Sequence, residues 1–215
     1  MRVNSVNCLR RPLLALVAFI FATGASLTQA QGDAGAGKAA AAPCAACHGQ
    51  DGATGLDGTY PNLAGQNEKY LFNQLRAIQD GSRAIPFMAG QLDGKDEQAL
   101  RDLAAYYASL PGKVGQAQGD DEQLAQAQQI FKGGIARKGV AACAACHSPT
   151  GVGNAEAGFP RLSGQPVEYT TAQLKAYRER TRATDEAYGA MMRDVAEGLT
   201  DTEIAMLADL IQGLN

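Results

Sequence analysis

The side chains with the most distinctive chemistry in this 215-residue chain lie in two copies of one five-residue string, Cys-Ala-Ala-Cys-His. The reactive residues of the two copies are Cys44, Cys47, His48, Cys143, Cys146 and His147. This spacing is the attachment signature of c-type haem, in which two thiols bond to the porphyrin vinyl groups and the adjacent imidazole faces the iron. The chain contains 2 histidines, and both belong to these motifs. The sequence therefore predicts two covalently attached haem c groups.

Two other uses of paired cysteines are open at this point. A structural zinc site usually takes cysteine pairs about 15–20 residues apart, whereas 96 positions separate Cys47 from Cys143. A thioredoxin-like dithiol favours a βαβ context, and no β-rich run lies near either motif. Haem is the favoured interpretation because it accounts for both cysteines and the histidine of each copy.

An internal duplication surrounds the two motifs. Equivalent positions lie 99 residues apart through the first part of each copy and 104 apart after an insertion in the second. The first-copy residues that recur at these spacings include Pro61, Leu63, Gly65, Gln66, Tyr70, Gln74, Leu75, Ala77, Met88, Leu103, Ala104 and Leu110. Self-similarity at a domain-sized period predicts two like domains in tandem.

The elements that position the motifs are expected to be helices. Apolar residues recur at three- and four-residue steps in the segments 66–79, 96–110, 167–182 and 200–213. Thr200 with Glu203 three residues later fits a capping box at the start of the last segment. The predicted fold class is all-α, with tandem domains over residues 31–112 and 122–215 and a short glycine-rich linker over 113–121.

Each iron also needs a ligand opposite its histidine. Because both histidines are used, a methionine thioether is the expected choice. Met88 follows the first motif, and the duplication aligns it with Met192, so these two are the predicted axial ligands beside His48 and His147. The neighbouring Met191 remains an alternative to Met192, and simple packing is the alternative for any one methionine.

The first thirty residues, 1–30, have the features of an export signal. Arg2, Arg10 and Arg11 precede an apolar stretch at 13–22, and a small-residue cleavage site follows at 28–30. The apolar stretch is short for a membrane span, although an uncleaved anchor is an alternative. A periplasmic location is predicted, since c-type attachment in bacteria takes place outside the cytoplasm.

The charge of the mature chain excludes one class of partner. Three of the 19 basic residues lie in the signal, which leaves 16 against 22 acidic residues and a net charge of −6. No basic stripe or aromatic platform indicates nucleic-acid binding. The second copy does carry a basic run, which is either a docking patch or a solvated helix face: Lys175, Arg178, Arg180 and Arg182.

The mature chain resembles the dihaem cytochrome c4 family over essentially its whole length. The resemblance rests on the signal, the two Ala-rich motifs, a Pro-x-Leu-x-Gly-Gln string and a Gln-Leu pair in each copy, Met88 and Met192, Gly-Val-Gly after the second motif, and the ending Ile-Gln-Gly-Leu. It implies two class I cytochrome c folds that face each other about a pseudo-twofold axis, with the haem propionates near the interface. It also implies a periplasmic electron shuttle, soluble or loosely attached to the membrane, between a quinol-oxidising (bc1-type) complex and a terminal oxidase.

The resemblance gives roles to further residues. Pro61 and Pro160 each follow their histidine by 13 positions, and in c-type cytochromes a loop proline here commonly offers its carbonyl to the imidazole N–H, which fixes the ring. A plain turn proline is the alternative. The residues expected at the haem edges or the domain interface are Gln66, Tyr70, Gln165 and Tyr169.

The expected function is electron transport and not catalysis. The main alternative is a haem subunit of a periplasmic oxidoreductase, such as flavocytochrome c sulfide dehydrogenase. A dihaem peroxidase is disfavoured, because that chemistry needs an open iron and a polar distal group, and here each iron has a methionine available.

Overall fold

A computed structural model describes residues 31–215 of the chain. The predicted signal and its cleavage site, residues 1–30, lie outside the described residues. The regular structure of 31–215 is helical, with two isolated β-bridges, so the all-α fold class is confirmed. Within this range, every helix is too short or too polar to cross a bilayer.

The first helical unit is built around its last helix. Its α-helices are α1 (Ala34–Ala40), α2 (Ala45–His48), α3 (Glu68–Gln79) and α4 (Glu97–Ser109). Both α1 and α3 pack against α4. The α1–α4 crossing is so close that a Cβ atom on Gly37 would lie 1.9 Å from the carbonyl oxygen of Asp102, and glycine is required there.

The second unit repeats this plan with one additional helix. Its α-helices are α5 (Asp121–Gly133), α6 (Ala144–His147), α7 (Val167–Arg178), α8 (Met191–Glu197) and α9 (Asp201–Gly213). Both α5 and α7 pack against α9, and α8 packs against α7. The predicted capping box is confirmed: the Thr200 hydroxyl accepts from the Glu203 N–H, and the Glu203 carboxylate accepts from the Thr200 N–H.

The two units differ most in the segment that leads to the predicted methionine ligand. In the first, a single 3-10 turn, Pro86–Met88, carries Met88. In the second, the insertion carries a 3-10 turn at Glu186–Tyr188, and Met192 then lies in α8. The first unit continues after Met88 in turns and has no helix at the position of α8.

Each unit has its own apolar core. Leu100 and Leu103 of α4 are 0–1% exposed in the first, and Phe131 and Leu207 have the same degree of burial in the second. Burying one such side chain stabilises the fold by about 1.5–3 kcal/mol. Two separate cores explain how the duplication yields two domains.

The segment between α4 and α5 is held against the second unit. The backbone N–H groups of Gln118 and Gly119 donate to the carboxylate of Asp209 in α9, at 2.9 and 2.8 Å. Asp120 caps α5, which begins at Asp121, the last position of the predicted linker. The linker therefore follows a defined path along the second domain.

Candidate haem sites at the domain interface

The first cysteine–histidine motif folds as one short turn of helix. A 3-10 turn, Ala42–Cys44, leads directly into α2, which ends at His48. This places Cys44, Cys47 and His48 on the wall of one cavity. The second motif folds in the same way, since α6 ends at His147.

Both imidazoles are oriented by the prolines that the sequence indicates. The Nδ1 atom of His48 lies 3.1 Å from the carbonyl oxygen of Pro61, and that of His147 lies 3.0 Å from the carbonyl oxygen of Pro160. A carbonyl oxygen accepts only, so Nδ1 carries the proton and Nε2 keeps its lone pair for a metal. Burial lowers the pKa of both histidines, opposed by the proline hydrogen bond, which favours the neutral, ligating form.

A single cavity of about 810 Å³ runs between the two units and reaches both motifs. Its wall includes Met88 on one side and Met192 on the other. The structure thus brings all four cysteines, both histidines and both predicted methionines to one continuous space. Met206 does not line this cavity and packs against the apolar core of the second unit.

The two neighbouring methionines of the second unit occupy different places. The sulfur of Met191 lies 4.0 Å from the sulfur of Cys146, and its side chain is 38% exposed. Both methionines line the cavity, but Met191 lies beside a thiol that would attach the haem. This position favours Met192 as the ligand.

A buried hydrogen-bonded cluster, here called the arginine network, joins the two units where the cavity crosses between them. Its members are related by the 99-residue spacing: Tyr70 with Tyr169, Gln74 with Gln173, and Arg83 with Arg182. Each guanidinium donates to the glutamine of its own unit and to the tyrosine and glutamine of the other. Arg83 and Arg182 are 8% and 7% exposed, and neither forms an ion pair within residues 31–215.

The arginine network creates a positive potential inside the cavity. Burial raises the pKa of Tyr70 to about 12. At Tyr169, burial is outweighed by the guanidinium groups of Arg83 and Arg182, which lower the pKa to about 8. Two buried cations without a carboxylate partner are costly, so an anionic group is expected to share this space.

Haem fits this site on three counts. The thiols lie on the wall where the porphyrin would attach, an imidazole with a free Nε2 lies beside them, and a thioether is present in each unit. The propionates of haem would supply the negative charge that Arg83 and Arg182 lack among residues 31–215. The arginine network thus supports the expectation that propionates lie near the interface.

A second set of contacts makes the interface close to symmetric. The side-chain amide of Gln66 accepts from the backbone N–H of Arg161 and donates to its carbonyl oxygen, at 2.7 and 2.8 Å. The side chain of Gln165 does the same to the backbone of Asn62, at 3.0 and 2.8 Å. Because these four residues are two pairs at a spacing of 99, the two glutamines exchange equivalent bonds about a pseudo-twofold axis.

The basic run of the second copy does not form a free positive patch. Lys175 and Arg178 pair with Asp201, and Arg180 pairs with Asp194 and Glu197. The last member, Arg182, is buried in the arginine network. Each basic residue of the run is thus ion-paired or buried. The run therefore does not present the free positive charge that a docking patch would need.

Sequence reasoning missed Arg83 and Arg182 as interface residues. Their spacing of 99 was a usable signal, since a charged residue repeated at the spacing of a duplication points to a shared contact. Gln66, Tyr70, Gln165 and Tyr169, expected at the haem edges or the interface, do lie at the interface.

Comparison with known proteins places both units in haem-binding families. Residues 124–215 match the family model described as Cytochrome c, and residues 30–106 match the model described as Cytochrome C oxidase, cbb3-type, subunit III. Each copy of the duplication is thus similar to a c-type cytochrome on its own.

Whole-length relatives have both domains. The chain is 43% identical to cytochrome c4 of Pseudomonas aeruginosa, over 94% of this chain and 98% of that protein. The crystal structure of reduced recombinant cytochrome c4 from Pseudomonas stutzeri matches with a TM-score of 0.81 and 42% identity, covering 86% of this chain and 100% of that one. A thiosulfate dehydrogenase electron acceptor of Thiomonas intermedia is 35% identical, over 78% of this chain and 76% of that protein.

Proposed function

The chain belongs to the cytochrome c4 family, and on that premise we propose that it shuttles electrons in the periplasm from a quinol-oxidising, bc1-type complex to a terminal oxidase. It is a c-type cytochrome and an electron carrier with two covalently attached haem c groups. The observation that supports the shuttle is the pair of cavity ends, each with an imidazole and a thioether available to one iron. A site filled on both sides leaves no position for a substrate.

The proposed site residues have two roles, covalent attachment of the haem and ligation of its iron. Cys44 and Cys47 would hold the first haem, and His48 and Met88 would be the ligands of its iron. The corresponding residues of the second domain are Cys143, Cys146, His147 and Met192. Each haem supplies one-electron chemistry at its iron, and Met/His ligation raises its potential into the range suited to electron transfer.

The protein's own residues would keep this chemistry confined to electron transfer. The Pro61 and Pro160 carbonyls hold the imidazoles in one orientation, so little rearrangement accompanies a change in charge. Arg83 and Arg182 would offset the negative charge of the propionates.

We also propose that the domains extend over 31–112 and 122–215, joined by the linker 113–121.

The proposal is tested with membranes that contain a quinol-oxidising complex and a terminal oxidase but lack their own soluble cytochromes. Adding the purified holoprotein is expected to restore quinol-dependent oxygen uptake, and the haems should cycle between oxidised and reduced forms. Full reduction by dithionite, with no reduction by the quinol-oxidising complex, would contradict the proposed donor. Reduction without re-oxidation by the membranes would contradict the proposed acceptor.

A second candidate has an observation of its own. A relative that is 35% identical is described as a thiosulfate dehydrogenase electron acceptor, which favours service to a single oxidoreductase as the alternative. A haem subunit of such an oxidoreductase, as in flavocytochrome c sulfide dehydrogenase, is the corresponding function here. Copurification of the chain with a dehydrogenase in a fixed ratio would favour this candidate over the free shuttle.

A further inference from the structure

The outer mouth of the first site is a surface that the carrier function leaves unassigned. Phe87 is 78% exposed and Leu56 is 70% exposed, more than the other exposed large apolar side chains of residues 31–215. Phe87 lies beside the half-buried Tyr60, and Leu56 follows Gly55, which packs against Tyr60; these three side chains are here called the outer apolar patch. Exposing apolar area of this kind is costly in water, and it marks an interaction site when several such residues lie together.

The outer apolar patch adjoins the residues that would hold the first haem. The backbone N–H of Leu56 donates to the carbonyl oxygen of Cys47 at 2.9 Å. The ring of Tyr60 lies 6.4 Å from the ring of Phe87 and 6.0 Å from that of His48, between centroids. Phe87 also directly precedes the proposed ligand Met88. A partner seated on this patch would be separated from the first haem site by one layer of side chains.

The charge around the patch is negative. The loops that carry it, residues 49–60 and 84–96, contain the exposed carboxylates Asp51, Asp57, Asp93 and Asp96 and one basic residue, the half-buried Lys95. Hydrogen bonds from Thr54 and Thr59 lower the pKa of Asp51 and Asp57, so both are ionised at neutral pH.

The same place on the second domain is partly covered. There the insertion lays the half-buried Tyr188 against Phe159, the counterpart of Tyr60, with ring centroids 5.7 Å apart. The nearby charges are also neutralised, because Arg193 pairs with both Asp185 and Glu186. The second mouth therefore offers a smaller apolar surface, since Met191, the counterpart of Phe87 at a spacing of 104, is 38% exposed against 78% for Phe87.

We propose that redox partners dock on the outer apolar patch of the first domain, and that such a partner presents a small apolar surface bordered by lysine or arginine. Apolar contact would hold the complex, and the carboxylates would steer a basic partner to it. The proposal rests on the carrier function. In the exchange, one electron leaves the reduced first haem and reduces an oxidised one-electron centre of the partner, with no proton or atom transferred.

The test uses two plastocyanins as probes, because their blue absorption is distinct from that of haem. One has an apolar face bordered by lysines, and the other has acidic residues at that place. Binding is measured by calorimetry with redox-inert, cadmium-substituted forms, and electron transfer by stopped flow with the copper forms. The patch variants are Phe87→Ala and Asp93→Lys. The matched controls are Val152→Ala, an exposed apolar residue of the second domain, and Glu122→Lys, an exposed charge on α5.

At low salt, Phe87→Ala is expected to weaken binding of the basic probe by about tenfold and Asp93→Lys by about threefold, through loss of apolar contact and of steering. The two controls should stay within about twofold of the wild type, and all four variants should keep the wild-type haem spectrum. Equal effects of patch variants and controls, or tighter binding of the acidic probe, would overturn the docking proposal while leaving the carrier function intact. If neither probe exchanged electrons with a protein that dithionite fully reduces, the carrier function itself would be in error.

Discussion

The two domains agree closely where they face each other and differ where they face away. At the interface, the arginine network and the hydrogen bonds of Gln66 and Gln165 are made by residues that correspond to one another at a spacing of 99. At the outer mouths, Phe87 is 78% exposed in the first domain, whereas in the second its counterpart Met191 is 38% exposed and Tyr188 packs against Phe159. The difference indicates that the duplication kept the shared contact fixed and left the outer faces free to acquire separate roles.

The largest expected effect on stability comes from substitutions in the symmetric arginine network. Arg83→Met and Arg182→Met each remove a buried cation with hydrogen bonds to both domains, and would leave a propionate without its counter-charge. Each is expected to destabilise the holoprotein by about 3 kcal/mol, measured by denaturant unfolding followed through haem absorption.

Because the arginine network is symmetric, the two substitutions should cost the same within about 1 kcal/mol. Arg180→Met, at a residue that is exposed and ion-paired only at the surface, is the control and should have little effect. A loss confined to one of the two buried arginines would show that the contacts are not equivalent.

A smaller effect is expected from the capping box of α9, which no other helix of residues 31–215 has. Glu203 accepts from Thr200 and pairs with Lys138 at 2.7 Å, whereas α4 is capped by Asp96 alone. Glu203→Gln is expected to destabilise the second domain by about 1–2 kcal/mol. Ala99, its counterpart in the first domain at a spacing of 104, can be changed to Gln as the matched control.

The stability difference between wild type and Glu203→Gln should depend on pH in a definite direction. Burial raises the pKa of Glu203, but the hydrogen bonds from Lys138 and Thr200 outweigh it and hold the pKa below its ordinary value of 4.5. A depressed carboxyl pKa contributes stability above that value and loses it as the pH falls through the folded-state pKa. The stability gap between wild type and Glu203→Gln should therefore shrink in acid, and a gap that widened would contradict the assignment.

The insertion provides a more local comparison. The buried carboxylate of Asp185 accepts from the backbone N–H and Nε of Arg193, at 2.9 and 2.8 Å, and so fixes the residue after Met192. Asp185→Asn should lower the temperature at which the second haem loses its Fe–S(Met) absorption by about 5 °C, with the first haem unchanged. The exposed Asp194→Asn is the control, and an equal shift in both haems would argue against a local role.

The smallest effect concerns backbone strain found only in the second domain. Ala190, at the start of α8, has φ of 61°, a left-handed conformation that costs an L-residue about 1 kcal/mol. Ala190→Gly should stabilise the second domain by about 0.5–1 kcal/mol, while Ala187→Gly in the preceding turn should be neutral or destabilising. Thermal melts that ranked the two in the reverse order would contradict this reading of the turn.

The sequence predicted the fold where residue type and repeat spacing agree. Covalent chemistry predicted the motifs, and the family resemblance predicted the role of the two prolines. Periodic apolar residues and a capping box predicted the helices α3, α4, α7 and α9. The short helix α1 was missed because it consists largely of alanine and glycine, so no apolar stripe marks it. The longer α5 was missed although Asp120 caps it, because its start adjoins a polar, glycine-rich segment.

The outer faces could not be predicted, for a physical reason. The repeat shows that five residues were inserted before Met192, but whether they cover the haem site depends on tertiary contacts such as Tyr188 on Phe159. The exposure of Phe87 likewise depends on whether another segment of the folded chain packs against it. Neither property is local in the sequence.

The central claim is that both haem sites are closed by a histidine and a methionine. A spectroelectrochemical titration of the holoprotein tests it directly, since it counts electrons and reports the ligands of each iron. We expect two one-electron steps, low-spin iron throughout, and an Fe–S(Met) absorption band in the oxidised protein that accounts for two haems. A high-spin ferric signal from either haem at neutral pH would contradict the account.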